Sequence, residues 1–112
     1  MLQFTKEIKE LWLSALKSGQ YKHGKGRLRI DDTEVKHCCL GVLCEIHPRL
    51  SIKHSNAVLD DEKELKGYTP INEMIGEKVV EQLWNANDSC ALNRLPGYEA
   101  VIPMIEQIPT VD

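Results

Sequence analysis

Between Ser18 and Cys44 the chain reads SGQYKHGKGRLRIDDTEVKHCCLGVLC, grouping Lys22, Lys25, Arg27, Arg29 and Lys36 around Gly24 and Gly26. Cations beside glycines suit an anion. A residue without Cβ lets backbone N–H groups approach closely, and the guanidinium fork matches phosphate oxygens. Tyr21, Lys22, His23, Lys25, Arg27 and Arg29 are therefore the candidate ligand-binding residues, with Tyr21 or His23 stacking on a base. Gly24-Lys25-Gly26 lacks the spacing and the Lys-Ser/Thr ending of a Walker loop, so the motif is not that of a P-loop. The competing reading is a solvated hairpin whose cations face water.

Two other chemistries are open to these residue types. His37, Cys38, Cys39, Cys44 and His47 include thiolate and imidazole ligands of the kind zinc takes, and Cys44 and His47 would share a helix face. No C-x2-C pair is present, and adjacent Cys38 and Cys39 point apart on most backbones, so burial as small apolar residues is the simpler reading. The metal candidates reduce to Cys39, Cys44 and His47, and no cofactor is expected. Nucleophilic catalysis would need Cys38, Cys39 or Cys90 beside His23, His37, His47 or His54, but no local signature joins them. No catalytic residue is assigned, and the expectation is a protein that is not an enzyme.

The elements that must position these groups follow from periodicity. Phe4, Ile8, Leu11, Trp12 and Ala15 form a helical stripe, capped by Thr5, with Glu7 in the first turn and Gly19 as a left-handed stop. Residues 26–38 read as a β-hairpin turning at Asp31-Asp32-Thr33. Arg27 and Arg29 would lie on its outer face, with Leu28 and Ile30 packed on the first helix. Residues 40–46 predict a short buried helix stopped by Pro48, in which Cys39, Gly41 and Cys44 permit close packing.

Beyond Pro48 the pattern weakens. Residues 51–53 and 57–59 suggest strands, followed by a polar turn or loop over residues 60–66. Thr69-Pro70 opens a helix ended by Gly76. Residues 77–85 form another, broken by the polar stretch of residues 85–89. Residues 97–107 keep helical register through Tyr98, Val101, Ile102 and Ile105. Pro103 either sits in the first turn of a helix starting near Ile102 or kinks it. Asn87-Asp88 reads as a cap or turn, and Asp88 could alternatively accept a hydrogen bond from the basic turn. Trp84 reads as core, or with Tyr98 as the wall of an apolar pocket. The fold class is α+β: a small single domain over residues 1–112, its N-terminal amphipathic helix packed on a β-hairpin with further short helices.

Charge and composition limit the partners. Of 112 residues, 42% are apolar and 28% charged, the balance of an ordinary globular chain. Net charge is –3 overall. Residues 1–30 carry seven basic and two acidic side chains, and the remainder seven and fifteen. A phosphate polymer would meet a mostly acidic surface, so general nucleic-acid binding is disfavoured, whereas a small anion needs only a local patch. No apolar run reaches membrane-spanning length and no signal peptide is evident, so no membrane association is expected and a cytoplasmic site is. In that compartment the four cysteines would be thiols or ligands, not a disulfide framework.

Taken together, the run from Trp12 to Tyr21, then Gly24-Lys25-Gly26-Arg27-Leu28-Arg29, then Cys38-Cys39-Leu40-Gly41-Val42-Leu43-Cys44, with Asn87-Asp88 and Tyr98 later, resembles a family of small uncharacterised proteins found mainly in phage genomes and also in bacteria. The resemblance implies a phage-type accessory protein in a bacterial host cytosol, and carries over no catalytic role. The expected function is sequestration of a small phosphate-containing molecule, such as a nucleotide signal of host defence, with a homo-oligomer as one way to enclose it. The alternatives are a protein–protein inhibitor of a host factor and a cysteine- or metal-dependent enzyme.

Overall fold

The structure, a computed structural model, describes residues 2–60, 67–88 and 98–112. Helix α1 (Lys6–Lys17) starts where the sequence places it: Thr5 Oγ1 accepts the Ile8 N–H at 3.2 Å. It stops before Gly19, whose φ of 78° is a conformation that side chains with a Cβ resist. Ile8, Trp12 and Leu16, spaced by four, form its buried row, while Leu11 falls at the stripe's edge and is exposed. The Trp12 indole N–H donates to the Cys39 carbonyl at 2.8 Å, which ties α1 to the next helix.

The expected hairpin forms, but as a shorter ladder. Strand β2 (Arg29–Asp31) pairs antiparallel with β3 (Val35–His37), and an unforeseen β1 (Lys22–His23) adds parallel to β3, giving the order β1-β3-β2. Two residues of strand lie below what periodicity can detect. Tertiary contacts fix them instead: the Tyr98 hydroxyl donates to the His37 carbonyl at 2.6 Å and lies 3.1 Å from that of Lys22.

Helix α2 (Cys39–Ile46) is buried from Cys39 through Cys44. Its N-terminus is capped by Cys38 Sγ, which accepts the Gly41 N–H. A Cβ on Gly41 would overlap the Leu28 carbonyl, so here the glycine permits helix and hairpin to touch. Helix α1 lies on α2 and on the last helix of the chain (α5, Ile102–Glu106), and shares its core with Leu28, just before β2.

Strands β4 (Leu50–Lys53) and β5 (Asn56–Leu59) form a second hairpin packed on α2. Helix α3 (Thr69–Ile75) begins with its proline in the first turn and ends at Gly76. Helix α4 (Glu77–Asp88) runs through Asn85-Ala86-Asn87-Asp88, where the sequence suggests a break. Local preference for a turn is overridden because the Asn87 side chain finds buried partners, described below. Helix α5 (Ile102–Glu106) carries Pro103 in its first turn, so no kink is needed. No described helix is long and apolar enough to cross a membrane. The loop expected over residues 60–66 lies almost wholly outside the described residues.

Candidate cationic site beside the second hairpin

The basic segment divides across the small sheet. Lys22 on β1 pairs with Glu34 at 2.7 Å, and Arg29 on β2 pairs with Asp31 at 3.2 Å, with β3 between them. Tyr21 meets the His37 ring edge-on and His23 meets Tyr98 likewise, each with centroids 5.2 Å apart. His23 Nε2 also lies 3.0 Å from the Asn87 carbonyl. Burial lowers the His23 pKa below its usual value and so favours the neutral ring. Tyr21 and His23 line a hollow of about 430 Å³ with Lys17, Tyr98 and Glu99. Arg27 and Arg29 line a different one. The stacking residues and the guanidinium groups grouped by the sequence are thus separated by the fold, and Lys25 acts electrostatically on His23.

The hollow that holds Arg27 and Arg29, also about 430 Å³, is completed by Asp31, Ile52, Lys53, His54 and Ser55. Three permanent cations face one carboxylate there. The second hairpin's contribution depends on its turn. Lys53 pairs with Asn56 across two residues, and His54 (φ 50°) and Ser55 (φ 62°) both lie in the left-handed region. Two positive φ values in a two-residue hairpin define a type I′ turn, a position that normally selects Asn-Gly. Asn56 supports it: its Nδ2 donates to the carbonyls of Lys53 (3.2 Å) and His54 (2.8 Å), while its Oδ1 accepts the Gly67 N–H at 2.8 Å. A strained turn that sets an imidazole and a hydroxyl beside a cation-lined hollow has the character of a functional loop.

Arg27 walls a further hollow of about 450 Å³, lined also by Gly26, Cys38, Tyr68, Trp84 and Asp88. Trp84 is not core: it is 38% exposed, and its aromatic neighbour in this hollow is Tyr68, not Tyr98. Asp88 does reach the basic turn. Its Oδ1 accepts the Gly26 N–H at 3.1 Å and the Asn87 Nδ2–H at 2.9 Å. The end of α4 therefore fixes the backbone that carries Arg27.

The thiols are arranged for packing. Burial pushes Cys38 up to about 11 and raises Cys39 and Cys44 further, so each stays protonated and a poor nucleophile. Cys39 Sγ lies 3.9 Å from the Leu83 carbonyl, and His47 Nδ1 accepts the Arg49 N–H at 3.1 Å. Among the described residues no three His, Cys, Asp or Glu side chains gather as a metal site, and Cys39, Cys44 and His47 are not brought together as one. Cys90 lies outside the described residues.

Lys53, Ser55 and Tyr68 are not among the site residues that the sequence singles out, and His54 enters there only as a possible base for cysteine catalysis. One signal was available: His54-Ser55 is a polar dipeptide between two short apolar strands, the spacing of a hairpin turn. A family model described as a domain of unknown function (DUF8296) matches residues 4–105. No curated protein and no solved structure matches the chain.

Proposed function

We propose that this chain, which belongs to the DUF8296 family, captures a small phosphate-bearing ligand without turning it over. One observation carries the reading. Arg27 and Arg29, just before and on β2, and Lys53 from the second hairpin line a single hollow beside the His54–Ser55 turn. Cations brought together across the sequence repel one another, and a multiply charged anion relieves that repulsion while accepting charge-assisted hydrogen bonds. The thiols of Cys38, Cys39 and Cys44, buried and held protonated, argue against catalysis by those three cysteines. Lys22 and Lys25 contribute long-range attraction, with Lys22 tied to Glu34. The biological setting is that of a phage-type accessory protein in a bacterial cytosol, which withholds a phosphate-containing signal from the host.

Titration calorimetry with inorganic pyrophosphate tests it. Binding should weaken as salt rises, and Arg29→Ala or Lys53→Ala should each reduce affinity roughly tenfold, the scale of one charge-assisted hydrogen bond. Native mass spectrometry of protein purified from bacterial cells reads both a retained anion and the number of copies enclosing it. Unchanged affinity in the Arg29→Ala, Lys53→Ala double variant would remove the proposal.

A further inference from the structure

We infer that the hollow between Tyr68, Trp84, Gly26 and Asp88 is the base subsite of the same ligand, which is then a purine nucleotide with an N–H donor on its base edge. The inference rests on the phosphate-capture reading and adds the ligand's class.

Arg27 is a wall of both hollows, so one ligand can lie across that side chain with an end in each. The two ends differ in character. The far hollow has three cations against Asp31, while the near one sets the Asp88 carboxylate beside two aromatic side chains. A phosphate is repelled by Asp88, so the anionic end of the ligand must point to Arg29 and Lys53, and its other end to Trp84.

Trp84 remains 38% exposed in a chain whose other tryptophan, Trp12, is fully buried. An exposed indole beside Tyr68 offers a stacking surface, and a two-ring purine covers more of it than a pyrimidine can. Tyr68 keeps its proton, since burial raises its pKa to about 12, so it brings no charge against the ring. Gly26 leaves the wall open: a Cβ there would meet nothing within 4 Å, so a ligand can approach the backbone.

Asp88 supplies the polar contact. Its Oδ1 already accepts two N–H donors, from Gly26 and Asn87, which leaves Oδ2 as the acceptor for a ligand. A base edge with an amino group or ring N–H satisfies it. One lacking both leaves a desolvated carboxylate oxygen without a partner.

Trp84 fluorescence and calorimetry with four probes test the assignment: AMP, purine riboside 5′-monophosphate (which lacks an edge N–H), ribose 5-phosphate and adenosine. AMP should bind tightest, with quenching of Trp84. Trp84→Ala should weaken AMP between about fivefold and a hundredfold, as loss of base stacking does, and leave ribose 5-phosphate unchanged. In Asp88→Asn the retained Oδ1 still holds Gly26 and Asn87 while an amide N–H replaces Oδ2. The preference for AMP over purine riboside 5′-monophosphate should then shrink or reverse. Equal binding of AMP and ribose 5-phosphate overturns the base subsite and leaves phosphate capture standing. Equal binding of AMP and adenosine overturns phosphate capture and leaves the subsite. Binding of none of the four removes both.

Discussion

The Asn87 carboxamide oxygen accepts the Cys39 backbone N–H at 3.1 Å, across 48 positions of sequence. That N–H is one of the first donors of α2, which have no partner within the helix. The same side chain donates from Nδ2 to the Gly24 carbonyl at 2.9 Å and is itself 1% exposed. One residue at the end of α4 thus completes the start of α2 and holds the glycine turn of the basic segment.

Asn87→Ala should therefore destabilise the fold by about 3 kcal/mol, since it strands a buried donor and a buried acceptor together. Urea denaturation measures the loss, with the midpoint shifting at constant slope. Asn87→Asp should be nearly as damaging, because it keeps the acceptor but loses the donor and buries a charge. A change under about 0.5 kcal/mol in both variants, the range of an ordinary surface substitution, would contradict the bridging role.

Gly41→Ala is expected to cost about 1–3 kcal/mol, the range for forcing atoms into a packed core. The added Cβ meets the backbone carbonyl of Leu28, which cannot rotate away as a side chain would. Gly26→Ala makes an informative contrast. No atom lies near its Cβ, and any loss there reflects only a φ of 81°. Thermal melts of the two variants separate overlap from backbone strain, and equal loss in both would show that contact with Leu28 is unimportant.

Acid should weaken the fold through histidine. His37 is 5% exposed, neither ring nitrogen has a hydrogen-bond partner, and Glu45 Oε2 lies 3.9 Å from Nε2. Burial lowers its pKa most, Arg29 lowers it further, and Glu45 and Asp31 oppose. Burial also lowers His23 and His47. With folded values below the unfolded 6.5, the unfolded chain binds protons first as pH falls. Stability is thus complete above about pH 7 and declines below 6.5. His37→Phe should flatten part of that decline, leaving the share of His23 and His47. A profile from pH 7.5 to 5 that His37→Phe leaves unchanged would contradict it.

Much of this architecture is legible in the residue order because it rests on local rules. The Thr5 cap, the Gly19 stop, the Pro70 start and the buried run after Cys38 each express a preference of a few adjacent residues. The site is less legible because its parts meet across the fold. Arg27 and Arg29 stand out as cations in the sequence, but their neighbours Lys53 and His54 come from a hairpin whose sequence gives little pattern. Tyr21 and His23, adjacent in sequence to those cations, are drawn to another face by Tyr98 and His37. Trp84 reads as core by periodicity, yet it is 38% exposed, because a helical stripe in the sequence does not say how far the core extends over its edge.

The comparison between Lys22 and Lys53 separates sequence proximity from spatial convergence. Lys22 lies within the basic segment, but its ammonium is 2.7 Å from Glu34 on an exposed surface. Lys22→Ala should leave pyrophosphate affinity within about twofold, while Lys53→Ala lowers it about tenfold. Calorimetry at two salt concentrations checks this, since a remote charge affects binding only through screened attraction. Equal losses in the two variants would place the anion nearer β1 than the second hairpin.

The type I′ turn should show a trade between stability and binding. Replacing His54→Asn together with Ser55→Gly installs the pair that positive φ favours at both positions, and should stabilise the hairpin by about 1 kcal/mol. The same change removes the imidazole and hydroxyl that face the cationic hollow, so pyrophosphate affinity should fall severalfold. Natural chains keep strained residues where function depends on the side chain, and Asn56 holds this turn through two hydrogen bonds from its Nδ2. Denaturation midpoints and titrations on the same preparation read both effects. A more stable variant that binds as tightly as the parent would mean that His54 and Ser55 play no part in holding the anion.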